Sequence, residues 1–237
     1  KMKSVSISCI CTIEFEKALY ALNRTLDTLQ SKVNLTKVYW FSDKPFPIQD
    51  FRIQVQTIEI PPFKKYTEEY NHITLYLMPN SVDTDFNLII HSDGFAVNAD
   101  AWTDEFFDYD YIGATWDDGG VGNGGFSLRS NKLYEQMVDL KMGYKPSDFS
   151  PEIASKYINV DKDRDGSDFI GEDVVICRIY KEQLESAGIK FAPHQVADRF
   201  SIENHSPVAP WTGNLNQWVG KSLGFHGKHG IRNLYNV

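Results

Sequence analysis

Asp93 reaches the end of the apolar run "NLII" directly after His91 and Ser92, and Gly94 follows it at once. A carboxylate delivered to a strand tip can form a turn or hold a cation, and the second role needs partners. "SLGFHGKHGIRN" supplies candidates in His226 and His229, set among glycines as a flap over a charged group would be. Neutral imidazole with carboxylate oxygen suits Mn2+ or a similar divalent ion. A second acidic cluster, "DKDRDGSDFIGED", spans Asp161 to Asp173. Asp161, Asp163, Asp165, Gly166 and Glu172 follow the spacing of an EF-hand calcium loop, D-x-D-x-D-G-x5-E. The eighth position, normally aliphatic, is Asp168, and there is no second hand. The same stretch ends in Glu172-Asp173, where a helix begins, a place from which a carboxylate can take a proton. The run thus reads as a calcium-binding interaction module or as the approach to a catalytic acid pair.

The elements that must position these groups alternate. "SVSISCICT" has the β-branched, alternating character of a strand, and "EFEKALYALNRTLDTLQ" places Phe15, Leu19, Leu22, Leu26 and Leu29 at helical spacing. "KVYWFSD" and "FRIQVQTIEI" read as further strands, "TEEYNHITLYLMP" as a short helix stopped by Pro79, and "DFNLIIHSDGF" as a buried strand. Strand-helix-strand alternation predicts an α/β fold with a largely parallel sheet, whose ligands lie beyond the carboxyl ends of the strands. Those tips are Thr12, Ser42-Asp43 and His91-Ser92-Asp93. The second half contributes "YDYIGATW", "GGFSLRS" and the helices "NKLYEQMVDLKM" and "EDVVICRIYKEQLESAG". Gly120, Gly122 and Gly125 fall in G-x-G-x-x-G register, but the run leads into a strand instead of opening a helix in a first βαβ unit. It reads as the wall of a binding cleft, where ligand and backbone approach closely. Trp116 and Asp117 beside it add an aromatic face and a carboxylate, which core packing and turn formation would equally explain.

Bulk properties narrow the classes. With 237 residues, 42% hydrophobic and 14% aromatic, the chain is expected to fold as one globular domain over residues 1–237. Its 24 basic against 32 acidic side chains, a formal charge of −8, speak against bulk binding to nucleic acid or anionic membrane. Cys9, Cys11 and Cys177 form no disulfide or zinc pattern and read as core residues. No signal-peptide stretch and no run of membrane-span length is found, so the expected location is the cytoplasm, that of a host cell if the source is viral.

Taken in order, "HSDG", "DYIGATW", "GNGGFSLRS", "GEDVVICR", "ADRFSIE" and "GFHG" resemble a family of small bacterial and viral glycosyltransferase-like proteins of the GT-A fold, over about residues 4 to 230. The resemblance implies a GT-A-like, Rossmann-type mixed sheet flanked by helices. It implies a hexosyltransferase-type enzyme that moves a sugar from a nucleotide-diphosphate-sugar donor to a hydroxyl of a glycan or similar acceptor, with inversion. Mn2+ (or Mg2+) would be held by Asp93 and His226, although the family's Asp-x-Asp is His91-Ser92-Asp93 here. Thr12, Asp43, Asn71, His91 and Ser92 would line the donor and nucleotide pocket. Trp116, Asp117, Asn123, Gly124 and Gly125 would meet the acceptor or sugar. Asp173, or failing it Glu172, would be the general base. A nucleotide-sugar hydrolase on the same sheet is the alternative within enzymes.

Overall fold

The structure is a computed structural model that describes residues 2–116, 118–160, 166–203 and 221–227. In chain order it runs β1 (Ser4–Ile10), α1 (Phe15–Leu29), β2 (Asn34–Ser42), β3 (Gln54–Glu59), α2 (Tyr66–His72), α3 (Met78–Ser81), β4 (Phe86–Ile90) and β5 (Gly94–Ala96). There follow β6 (Tyr111–Ile112), β7 (Ser127–Ser130), α4 (Asn131–Leu140), α5 (Pro151–Tyr157), β8 (Asn159–Val160) and β9 (Asp168–Phe169). The rest is α6 (Glu172–Val174), α7 (Lys181–Ser186), α8 (His194–Phe200), β10 (Ser201–Ile202) and β11 (Gly224–His226).

The main sheet has the order β3-β2-β1-β4-β7-β6. Its first four strands are parallel, β7 runs antiparallel to β4, and β6 runs antiparallel to β7 at the edge. The α/β expectation therefore holds, with a mixed sheet. Both faces are covered, as the alternation along β2 shows. Val38 and Trp40 enter one apolar core with Ala21, Leu22 and Leu26 of α1, while Tyr39 and Phe41 enter the other with Leu133 and Met137 of α4. Cys9 and Cys177 are free and buried in these cores, as core residues should be.

Pro79 does not stop its helix. A wide π turn over Ile73–Leu77 precedes it, Met78 N–H bonds back to Ile73 O, and the helix runs on to Ser81. The five-residue spacing absorbs the donor that proline lacks. The helix expected from Glu172 is likewise broken, into α6, a π turn over Val175–Ile179, and α7. His226 also departs from expectation. It belongs to a strand, β11, that pairs with β5 opposite Gly94 in a second, three-stranded sheet.

Candidate active site

The chain walks outward from β1 through β2 to β3, then returns to the other side of β1 as β4. Where the order reverses, the tips of β1 and β4 part, and open α/β sheets hold ligands at such a point. A cleft of about 800 Å³ opens there, lined by Thr12 after β1 and His91, Ser92 and Asp93 after β4. Glycines Gly124 and Gly125 form a wall, and Glu172, Asp173 and His226 reach the same space. That volume is ample for a ligand of nucleotide-sugar size.

Three side chains converge at one end. His91 Nδ1 lies 3.9 Å and His226 Nε2 3.8 Å from Asp93 Oδ1, and ligand atoms of all three lie within 4.8 Å of one another. Two ring nitrogens and a carboxylate oxygen at these spacings fit a divalent transition metal, whose donors stand about 3.5 Å apart when each is about 2.1 Å from the ion. The backbone is cut away to admit them. A Cβ on Gly125 would fall 2.1 Å from His226 Nε2, and one on Gly94 would fall 2.7 Å from His226 Cδ2. Glycine at both places lets the ring stand against the chain. Burial lowers the His226 pKa, but the Glu203 hydrogen bond and the charges of Glu203, Asp93 and Asp173 more than offset it, leaving a net upward shift.

The acidic pair divides its labour. Glu172 is buried, and its Oε1 accepts from Nη2 of the fully buried Arg129 at 2.9 Å. Burial pushes the Glu172 carboxyl up to about 7, with Arg129 drawing it back only in part. Arg129 is itself held further up by that carboxylate, so Glu172 is the member of the pair that titrates. Asp173 is only partly buried. Its Oδ1 accepts from Val174 N–H at 2.8 Å. Burial raises its pKa, which backbone N–H groups of Val174 and Gly124 partly counter.

Thr12, Asn71, Ser92, Asn123 and both wall glycines line the cleft. Asn71 donates to Tyr144 O and Ile170 O, while its Oδ1 and that of Asn123 are buried without a hydrogen-bond partner. Asp43 lies behind the lining beside Cys11, its Oδ1 likewise buried and unpartnered. Trp116 lies outside the lining, with the Arg178 guanidinium 4.4 Å above its ring and the edge of the indole against Gly122. Asp117, His229 and the acidic run Asp161–Asp165 fall outside the described residues. What surrounds that run departs from an EF-hand. β8 and β9 pair as an antiparallel hairpin across it, and Glu172, the twelfth position, is turned into the protein against Arg129.

Sequence reasoning missed Tyr70, Glu203 and Arg129. Tyr70 Oη is 2.7 Å from His91 Nε2, and Glu203 Oε1 is 3.2 Å from His226 Nδ1. Arg129 sits inside "GNGGFSLRS", where an arginine in an apolar strand beside buried serines was itself a signal of an internal counter-charge.

Residues 52–226 match the family described as "Protein of unknown function (DUF5672)", and the chain belongs to that family. No curated protein matches the sequence. Among solved structures, the galactosyltransferase LgtC in complex with donor and acceptor sugar analogues is 13% identical, with a TM-score of 0.54 over 93% of this chain and 86% of that one. A glycosyltransferase involved in glycosylation of the major capsid of PBCV-1 is 10% identical, with a TM-score of 0.53 over 98% and 97%. The chain spans 47% of the mannosyltransferase PcManGT from Pyrobaculum calidifontis in complex with GDP-Man and Mn2+, at 8% identity, a TM-score of 0.42 and 58% of this chain. The first two show that the mixed sheet has the GT-A glycosyltransferase fold.

Proposed function

We propose that this DUF5672 member is a metal-dependent, inverting glycosyltransferase that moves a hexosyl group from a nucleotide-diphosphate sugar to a hydroxyl of a glycan or similar acceptor. The observation that carries this reading is a three-donor cation site and a part-buried carboxylate, Asp173, in one cleft at the switch point of a GT-A sheet. Among the described residues lining the cleft there is no lysine or arginine, whereas Glu14, Asp93, Asp173 and Glu203 are all acidic. A cation there would offset the acidic lining for an entering pyrophosphate. Asp93, His226 and His91 would hold Mn2+ (or Mg2+), which when bound neutralises charge on the diphosphate and its leaving group.

The chain's own groups supply the rest. Thr12 and Ser92 offer hydroxyls beside the phosphates, and Asn71 lines the donor pocket, while Asp43 stands behind that lining and contributes from the second layer. Asn123, Gly124 and Gly125 present backbone to the sugar. Asp173 takes the acceptor proton as the acceptor oxygen bonds to the anomeric carbon and the carbon–phosphate oxygen bond breaks. Its raised pKa makes it a stronger base than an exposed aspartate. Glu172, bound to Arg129, braces the Gly124 wall beside it. A thermal-shift screen of nucleotide sugars with and without Mn2+ tests the reading, with stabilisation by one donor in the presence of the metal as the expected outcome. NMR of the product's anomeric configuration tests inversion. Transfer to water at the rate of transfer to sugar acceptors would favour the hydrolase instead.

A further inference from the structure

His91 and His226 face Asp93 through different ring nitrogens, Nδ1 and Nε2, and each has its other nitrogen against a side-chain oxygen. A histidine that gives one lone pair to a cation must carry its proton on the opposite nitrogen, and that proton needs an acceptor. Glu203 is such an acceptor for His226 Nδ1–H, at 3.2 Å. Tyr70 Oη is one for His91 Nε2–H, at 2.7 Å, and the two rings meet edge-on with centroids 5.3 Å apart. The residues come from distant places, α2 and the end of β10, yet each closes on the far side of one ring. The His226 ring stands against the bare backbone of Gly94 and Gly125 and edge-on to His91, centroids 5.2 Å apart, and Glu203 is the side-chain hydrogen-bond partner on its far nitrogen.

We propose that Tyr70 and Glu203 are positioning residues that fix His91 and His226 as neutral nitrogen donors, making a two-histidine, one-carboxylate centre that takes Mn2+, Co2+ or Zn2+ ahead of Mg2+ and Ca2+. Magnesium and calcium favour all-oxygen shells, whereas imidazole suits the transition ions. The inference rests on the cation site of the proposed function but not on sugar transfer, and it is tested on metal alone.

The test titrates Mn2+ into the full chain by water-proton relaxation, with Co2+ and Mg2+ as competitors, and follows unfolding by circular dichroism. Wild-type protein should prefer Mn2+ to Mg2+ by at least about tenfold. Glu203→Ala and Tyr70→Phe should each weaken Mn2+ by about 10- to 100-fold, with Mg2+ affected less. Glu203→Gln, whose amide oxygen still accepts from Nδ1–H, should recover most of the loss. Tyr70→Phe removes only a hydroxyl, so it reads the tyrosine even if an alanine variant fails to fold. If Glu203→Gln is as weak as Glu203→Ala, or if folded variants bind Mn2+ like wild type, the positioning role is overturned while the proposed function stands. If wild-type protein binds no transition ion, both fall.

Discussion

Breaking the Arg129–Glu172 pair one side at a time should cost far more than removing it whole. Arg129 is fully buried, Glu172 nearly so, and Nη2 to Oε1 is 2.9 Å. Arg129→Met leaves a buried carboxyl with no counter-charge, and Glu172→Met leaves a buried guanidinium that cannot shed its proton. Each single change should cost about 3–5 kcal/mol, a large part of the about 5–15 kcal/mol that holds a domain folded. For a chain of this size that is a fall in Tm of about 6–20 °C. The double change replaces two charges by apolar groups of similar length and should come within about 1.5 kcal/mol of wild type. Urea unfolding of the four proteins gives the cycle directly, with an expected coupling of about 4.5 kcal/mol or more. Additive single losses of under about 1 kcal/mol would refute the claim that the pair is one buried unit. The pair also supports the cleft wall, since a Cβ on Gly124 would lie 1.7 Å from Glu172 Oε1 and 2.8 Å from Arg129 Nη2. The double variant should therefore fold and yet transfer poorly.

Asp173→Asn should lower kcat by about 10²- to 10⁴-fold while nucleotide binding by calorimetry is unchanged, and full turnover would remove it as the base. Because burial raises the Asp173 pKa, the proton must come off at higher pH than from an ordinary aspartate, so the acid limb of kcat/KM should lie above that of an exposed aspartate. Glu172 titrates at about 7 folded against about 4.5 unfolded, so its contribution to stability is complete below about 4.5 and is lost as pH rises through about 7. Denaturation from pH 4.5 to 8 should show that decline, and Glu172→Gln should flatten it. Asp93→Ala should abolish the Mn2+-dependent part of nucleotide binding, and Gly125→Ala, by displacing the His226 ring, should weaken Mn2+ by more than about tenfold.

The sheet was legible because its strands carry strong local patterns. "KVYWFS" is apolar on both faces and "FEKALYALNRTLDTL" on one, and the β4 tip delivered His91 and Asp93 to the cleft. His226 was named from a motif, but its strand was not foreseen, since three residues among glycines carry no periodicity and β11 is defined by its distant partner β5. The π turns were invisible for a related reason. They keep helical spacing to the eye and differ by one hydrogen-bond register around Pro79 and after Val174. Trp116 and Arg178 form a surface stack that no spacing rule announces, which is why the tryptophan looked available to a ligand.

Pairing of β5 with β11 joins Gly94 to His226 across about 130 residues of chain. A chain emerging from the ribosome can form β1 through β4 long before it possesses the strand that completes the proposed cation site. Loop closure over that span is entropically slow, so β11 docks late in folding. A nascent chain thus exposes His91 and Asp93 for much of its synthesis without the third donor. Under the proposed cation site, ion binding would report that β11 has docked, and a bound ion would clasp β4 and β11, elements from distant parts of the chain.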